Sequence, residues 1–413
     1  MSTNLTINPE RLWDTLMDTA RFGATPKGGV KRLTLSDEDK LVREWFTSAC
    51  EAAGLTVAVD QMGNMFATRP GANPDALPIA VGSHLDTQPA GGKFDGILGV
   101  LGGLEAIRTL NDAGYETSRP ITLINWTNEE GARYAPAMSG SGVYSGEIGY
   151  DDMMARPDRD GIRFGDELKR IGYAGAETVG ARRFAAFVEL HIEQGPILEA
   201  EGKTIGVVEG GQGIYWFDGT VTGRDSHAGT TPMTHRRDAM MALAEAALAV
   251  EAIALENAPA AVGTMGEVAV LPGSRNTIPG LATFLGELRH PDGGTLTAMA
   301  EALDARIAEI NARRSPVEIV LTRKWRKDPV AFDKRIVDAV RGAAEKHGYS
   351  NRPMISGAGH DAYYVADTCP TGMIFIPCWE GISHNEEESA TQSDCAAGTQ
   401  VILDTLLKLD QTL

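Results

Sequence analysis

The stretch LPIAVGSHLDT, Leu77–Thr87, is apolar as far as Val81 and then breaks into polar residues around His84 and Asp86. A short apolar run that ends in a polar burst reads as a strand buried on both faces. The pattern returns in PITLINWTNEEGARY (Pro120–Tyr134), in FAAFVELHIEQGP (Phe184–Pro196) and in TGMIFIPCWEGISHNEEE (Thr371–Glu388). Helical patterns lie between these runs, the first being the small-residue-rich GILGVLGGLEAIRTLNDAG (Gly96–Gly114). Strands alternating with helices predict an α/β domain whose largely parallel sheet is flanked by helices. Ligands of such sheets bind beyond the carboxyl ends of the strands. All four polar bursts are expected to converge on that edge.

Upstream, PERLWDTLMDTARFGAT (Pro9–Thr25) and DEDKLVREWFTSACEAAGL (Asp37–Leu55) predict two helices, the second ending at Gly54. TVAVDQMGNMFATRPG (Thr56–Gly71) alternates like a hairpin with its turn at Gly63–Asn64. The middle of the chain reads differently. Strand patterns begin at Ile214, Val262, Leu281 and Val317, with an Ala-rich helix over Arg236–Glu256 and another helix over Thr295–Arg314. This βαββαβ order predicts an α+β, ferredoxin-like domain. It is inserted over 213–327, so that 1–212 and 328–413 form one discontinuous catalytic domain. The open edges of its sheet offer pairing to a two-fold partner.

The chain has 413 residues, which favours two or three domains, and an ordinary globular composition of 43% hydrophobic and 23% charged residues. Its formal charge of -18 argues against nucleic acid or an anionic membrane as partner. Cys50, Cys369, Cys378 and Cys395 form no C-x-x-C pair and read as buried free thiols of a reducing compartment. No signal-peptide core and no run of about 18 apolar residues is visible, so the expected location is the cytoplasm.

His84, His191 and His384 each fall at the end of an apolar strand with acids nearby, and together they predict a metal site. His235, His290 and His347 lack such companions. Asp95, in GGKFDGILG, is placed either to cap a helix or to bridge two cations. Glu129 and Glu130 are adjacent and point opposite ways on an extended segment. One can bind metal while the other faces substrate, and the residues alone do not say which. Three histidines with two or three carboxylates suit two divalent ions that share a carboxylate, generate hydroxide and clamp a tetrahedral intermediate. Asp86 is placed to orient the His84 imidazole. His227, in TGRDSHAGTTPM (Thr222–Met233), reads as a further ligand, a catalytic group or an ordinary loop residue.

GSHLDTQPAGGKFDGILGVL, NWTNEEGARY, ELHIEQGP, GRDSHAGTTPM, GSRNTIPG and GAGHDA occur in order over nearly the whole chain. Together they resemble the amidohydrolase branch of the M20 metallopeptidase superfamily, which holds N-carbamoyl-L-amino acid hydrolases, β-ureidopropionases and allantoate amidohydrolases. The resemblance implies His84, Asp95, Glu130, His191 and His384 as ligands of two divalent metals, zinc, manganese, cobalt or nickel, with Asp95 as the bridge. It implies Glu129 as general base, Asp86 as the partner of His84, and the inserted domain as a dimerisation lid of a homodimer. His227, Asn276 and Arg289 match substrate contacts. Gln194 and the backbone of Gly359 are placed to join them, and Arg289 suits a substrate carboxylate. The implied reaction removes the N-carbamoyl group of an amino acid, with His227, acting in its own subunit or across the dimer, assigned to the oxyanion. Other readings are hydrolysis of allantoate or ureidoglycolate, an M20 dipeptidase or aminopeptidase, and a non-catalytic metal- or ligand-binding dimer. An intact Glu129 speaks against the last, since a binder needs no base.

Overall fold

The four apolar runs become the strands Ile79–His84, Ile121–Trp126, Ala186–Ile192 and Thr371–Ile376, buried along their whole lengths. The structure, a computed structural model, describes residues 4–413. Ile79–His84 pairs in parallel with Ile121–Trp126 on one side and Ala186–Ile192 on the other. Thr371–Ile376 extends the parallel set beyond Ala186–Ile192. With both faces covered these strands are mostly apolar, and Glu189, a carboxylate buried within the third, is held by the Ser83 hydroxyl and the Ala362 amide. Each fully buried aliphatic side chain there contributes about 1.5–3 kcal/mol of transfer free energy.

Antiparallel strands finish the sheet at its margins. The hairpin Thr56–Val59 and Met65–Arg69 joins through Met65–Arg69 to Ile121–Trp126. Its turn closes on Asp60, whose Oδ1 accepts the amides of Met62 and Asn64. Gly63 in that turn has φ +81°. On the other side Ile205–Gly211 runs antiparallel to Thr371–Ile376.

The helix Ile97–Asp112 lies against the parallel strands, and its small residues allow the approach. A Cβ at Gly99 would fall 2.4 Å from the carbonyl oxygen of Leu190. The helices expected upstream are Pro9–Thr19 and Asp37–Ala52, capped by the side chains of Asn8 and Ser36. Arg43 in the second is fully buried and holds three elements together. It pairs with Asp39 at 2.9 Å and donates to the Gly63 carbonyl and to Thr127 Oγ1. All four cysteines are free and buried, and burial pushes the thiols of Cys50 up to about 12 and of Cys378 up to about 11. Among the described residues no helix is long and apolar enough to cross a membrane.

The chain divides into two compact units. One runs through Gly210 and resumes at Ala331–Leu413; the other is Gly211–Val330. The second unit is a four-stranded antiparallel sheet in the order Glu318–Lys327, Gly213–Thr222, Leu281–His290, Val262–Leu271. Along Gly213–Thr222 burial alternates, as one covered face requires. Tyr215, Phe217, Phe284 and Leu288 pack on that face against Leu243 and Leu303, residues of the helices Ala239–Glu256 and Gly293–Arg314. Asp238 and Asp292 cap those helices. The edge strands are Glu318–Lys327 and Val262–Leu271.

Removing one member of a buried ion pair strands the other charge. Arg43→Ala should therefore lower the stability of the fold by about 3–5 kcal/mol, read from the midpoint of urea unfolding, whereas exposed Arg335→Ala should change it by under about 0.5 kcal/mol.

Candidate metal centre

Each parallel strand delivers its polar residues at its carboxyl end. His84 is the last residue of Ile79–His84, and His191 the penultimate residue of Ala186–Ile192. Glu129 and Glu130 follow Ile121–Trp126 after a left-handed bend at Asn128, φ +61°. His384 follows Thr371–Ile376 on a longer loop, itself left-handed at φ +54°. Asp95 arrives on the loop before Ile97–Asp112. It is not the cap of that helix, the alternative its sequence position allowed: Gly96 occupies the cap position, φ +69°, without a side-chain cap bond. Only glycine fits there, because a Cβ would meet the His84 ring at 2.2–2.4 Å.

Two groups of potential ligand atoms form, and Asp95 belongs to both. His84, Asp95 and His191 make one; Asp95, Glu130 and His384 make the other. Asp95 Oδ1 lies 3.5 Å from His84 Nε2 and 3.2 Å from His191 Nε2. Asp95 Oδ2 lies 3.8 Å from His384 Nε2, which in turn lies 3.3 Å from Glu130 Oε2. The remaining nitrogens fix the tautomers. His84 Nδ1 donates to the carbonyl of Asp86 at 2.9 Å and His191 Nδ1 to that of Ile192 at 3.0 Å. In each neutral ring the lone pair is therefore left on Nε2, the atom a metal would take. The Gly96 amide points at His191 Nε2, 3.2 Å away, as it should toward an acceptor. His84 Nε2 is buried and has no hydrogen-bond partner. A buried lone pair between carboxylates is left unsatisfied by the protein and fits a divalent cation.

The electrostatics agree with that fit. Burial and then Asp361, Glu130 and Asp95, outweighing His84, push the Glu129 carboxyl well above its usual range. Burial and Asp95 do the same to Glu130. Carboxyls crowded in this way repel one another until a cation is placed among them.

Adjacent Glu129 and Glu130 do separate, though they sit in a bend rather than on the extended segment expected. Glu130 faces His384, with its carboxylate held by the amide and side chain of Gln88. Glu129 stands outside both groups with Oε2 3.4 Å from His84 Nε2. Asp86 divides its work. Its carbonyl orients His84, while its carboxylate, 3.8 Å from that ring, accepts the amides of Glu129 and Glu130 at 3.3 Å each. Gln194 lies against the shared carboxylate, Nε2 donating to Asp95 Oδ2 at 2.8 Å. Gly359 packs close to the Met138 side chain.

His227, Asn276 and Arg289 belong to the unit Gly211–Val330. His227 and Asn276 are brought together there: Thr277 pairs with His227, and the Ala228 amide donates to the Asn276 carbonyl at 2.8 Å. Arg289 lies near the far end of Leu281–His290, held by both oxygens of Glu287.

Three further residues at the centre escape sequence reasoning. His360 is buried edge-on against His191, ring centroids 4.5 Å apart, with Nε2 unpartnered. Burial and then His191 push its pKa well below the usual histidine range. Ser383 donates to Asp95 Oδ2 at 2.7 Å, and Glu388 accepts the Asp95 amide at 3.0 Å. Their proximity to His384 in the chain was the available signal, but an acidic run such as Glu386–Glu388 ordinarily reads as solvated charge.

A parallel sheet whose strand ends gather two histidine–carboxylate groups around one shared aspartate is the architecture of a metal-dependent hydrolase. The chain belongs to peptidase family M20/M25/M40, whose model matches residues 80–408. It is 51% identical to an N-carbamoyl-L-amino-acid amidohydrolase of Rhizobium meliloti, over 98% of this chain and 97% of that protein. It is 37% identical to an N-carbamoyl-L-amino acid amidohydrolase of Geobacillus stearothermophilus, over 98% and 99%. A solved amidase of the hydantoinase/carbamoylase family from Burkholderia multivorans superimposes with a TM-score of 0.94 at 50% identity, covering 98% of this chain and 99% of that one.

Gly96→Ala should push the His84 ring out of register with Asp95. The variant should keep its far-UV circular dichroism and lose most of its bound divalent metal, measured by plasma emission spectrometry against the unaltered protein.

Proposed function

We propose that the chain hydrolyses N-carbamoyl-L-amino acids to the amino acid, ammonia and carbon dioxide. The observation that carries this reading is Glu129: a carboxylate beside His84 yet outside both ligand groups, where a base is needed and a further ligand is not. The two N-carbamoyl-L-amino acid amidohydrolases, similar over nearly the full chain, support the substrate class. A compartment that keeps the four thiols free, the cytoplasm, suits it.

His84, Asp95 and His191 would hold one divalent cation and Asp95, Glu130 and His384 a second, zinc, manganese, cobalt or nickel being suited to such ligands. Bound there, the cations would supply an acidified water and polarisation of the carbamoyl oxygen. Glu129 takes the proton of the water as its oxygen attacks the carbamoyl carbon. The same carboxyl then returns that proton to the amino-acid nitrogen as the C–N bond breaks, and the carbamate released decomposes to ammonia and carbon dioxide. Asp86 keeps Glu129 and Glu130 in place through their amides.

The unit Gly211–Val330 would hold the substrate and pair with a second copy of the chain. His227 Nδ1 accepts the amides of Gly229 and Thr230 at 3.1 and 3.3 Å, which puts the proton on Nε2. That Nε2–H is the donor we assign to the developing oxyanion, from the same subunit or its neighbour. Arg289 offers a planar fork to the substrate carboxylate, exchanging Glu287 for it, and Asn276 supplies an amide. Gln194 and the Gly359 backbone N–H complete the assigned contacts. Support for pairing comes from the helix Ala239–Glu256, which exposes Met241, Leu248 and Leu255 at seven-residue spacing, and from exposed Val268 and Leu271 on the edge strand Val262–Leu271.

The test is ammonia release by the metal-supplemented protein on carbamoyl-L-amino acids, carbamoyl-β-alanine, allantoate, ureidoglycolate and a dipeptide. Turnover of the carbamoyl-L-amino acids is expected to lead; peptide cleavage without ureido hydrolysis would reverse the reading. Glu129→Gln should keep the metal content and lower kcat by roughly 10²–10⁴-fold; loss of metal in that variant would argue that Glu129 is a ligand. Arg289→Ala should raise KM about tenfold or more for carboxylate-bearing substrates with a smaller change in kcat, an effect of the size expected for a charge-assisted hydrogen bond.

A further inference from the structure

We propose that Glu388 is a positioning residue of the metal centre, fixing the backbone of Asp95 and tying the Asp95 loop to the loop that carries His384. The inference rests on the reading of Asp95 as the shared metal carboxylate. Glu388 Oε1 accepts two consecutive amides, those of Phe94 and Asp95, each at 3.0 Å. Its Oε2 lies 3.2 Å from Ser383 Oγ, and the same hydroxyl donates to Asp95 Oδ2 at 2.7 Å. Glu388 thus holds the Asp95 backbone directly and lies beside the hydroxyl that holds the Asp95 carboxylate. Ser383 is the neighbour of His384, so the contact also sets where the His384 loop begins its left-handed turn.

The surroundings are built for this side chain. Glu388 is 4% exposed. A Cβ at Gly92 would fall 2.1 Å from the Glu388 carboxylate, so glycine there clears the space the carboxylate fills. A buried carboxylate beside another is costly unless its hydrogen bonds are made. Here those bonds go to segments that carry proposed ligands. A side chain serving only to close the loop Pro377–Ala390 would have no reason to reach residues 293 and 294 positions away. Asp95 must present one oxygen to His84 and His191 and the other toward His384, and a rotation of its backbone would spoil both at once.

Partners that orient a metal ligand are worth about 10–100-fold in metal affinity when removed. The experiment titrates zinc into chelator-stripped, full-length protein in competition with a chromogenic chelator, alongside the melting temperature of the metal-free protein. Glu388→Ala should weaken zinc binding by about 10–100-fold, compared at a temperature well below the metal-free melting temperature of each protein. Gly92→Ala, which displaces the carboxylate without altering it, should weaken binding in the same direction and reads the contact even if Glu388→Ala fails to fold. Glu388→Gln keeps an oxygen for both amides and an NH2 for Ser383, and should restore binding to within about threefold of the unaltered protein. Unaltered affinity in both Glu388→Ala and Gly92→Ala would overturn the proposal, and so would Glu388→Gln as weak as Glu388→Ala. Failure of the unaltered protein to take up zinc would instead overturn the metal-centre reading beneath it.

Discussion

Asp95 is a buried carboxylate with histidine nitrogens on both sides: His84 and His191 toward Oδ1, His384 toward Oδ2. Almost everything else at this sheet edge follows from keeping that one group in place and in the right orientation. Gly96 has no side chain because the His84 ring occupies the space. Gln194 and Ser383 donate to Oδ2, and Glu388 holds the amide. His84 and His191 are fixed from behind by backbone carbonyls, so that Nε2 of each neutral ring faces the carboxylate. A buried anion among acceptors is unfavourable without a cation, and the protein spends four separate segments of chain on assembling it.

The parallel sheet is what makes such an assembly possible. Strands running the same way end at the same edge, so residues over a hundred positions apart meet there without any long loop. The buried strand bodies leave no choice of register, since a one-residue slip would move His84 and His191 off the edge they share. Arg43 extends the same rigidity outward, joining a helix, the hairpin turn and Thr127 just ahead of the glutamate pair.

Legibility in the sequence followed the range of the interactions. The strands, and the histidines and acids at their ends, were readable because burial on both faces leaves a local signature and the polar break is abrupt. The βαββαβ order was readable from periodicity alone, and the sheet it forms is antiparallel. What did not show was anything set by contact across the chain. Glu388 looks like one of three solvated glutamates until the structure places it against Phe94 and Asp95. His360 has no acid beside it except Asp361 and gives no local hint that it packs against His191. Asp86 was legible as a partner of His84, but that its carboxylate would serve the amides of Glu129 and Glu130 depends on how two neighbouring strands line up, which no single strand records.

The most direct test of the shared-carboxylate account is anomalous diffraction from crystals of the protein grown with zinc, collected above and below the zinc absorption edge. Two anomalous peaks per chain are expected, one among His84, Asp95 and His191 and one among Asp95, Glu130 and His384, with an oxygen of Asp95 directed at each. A single peak, or two peaks that do not share Asp95, would contradict it.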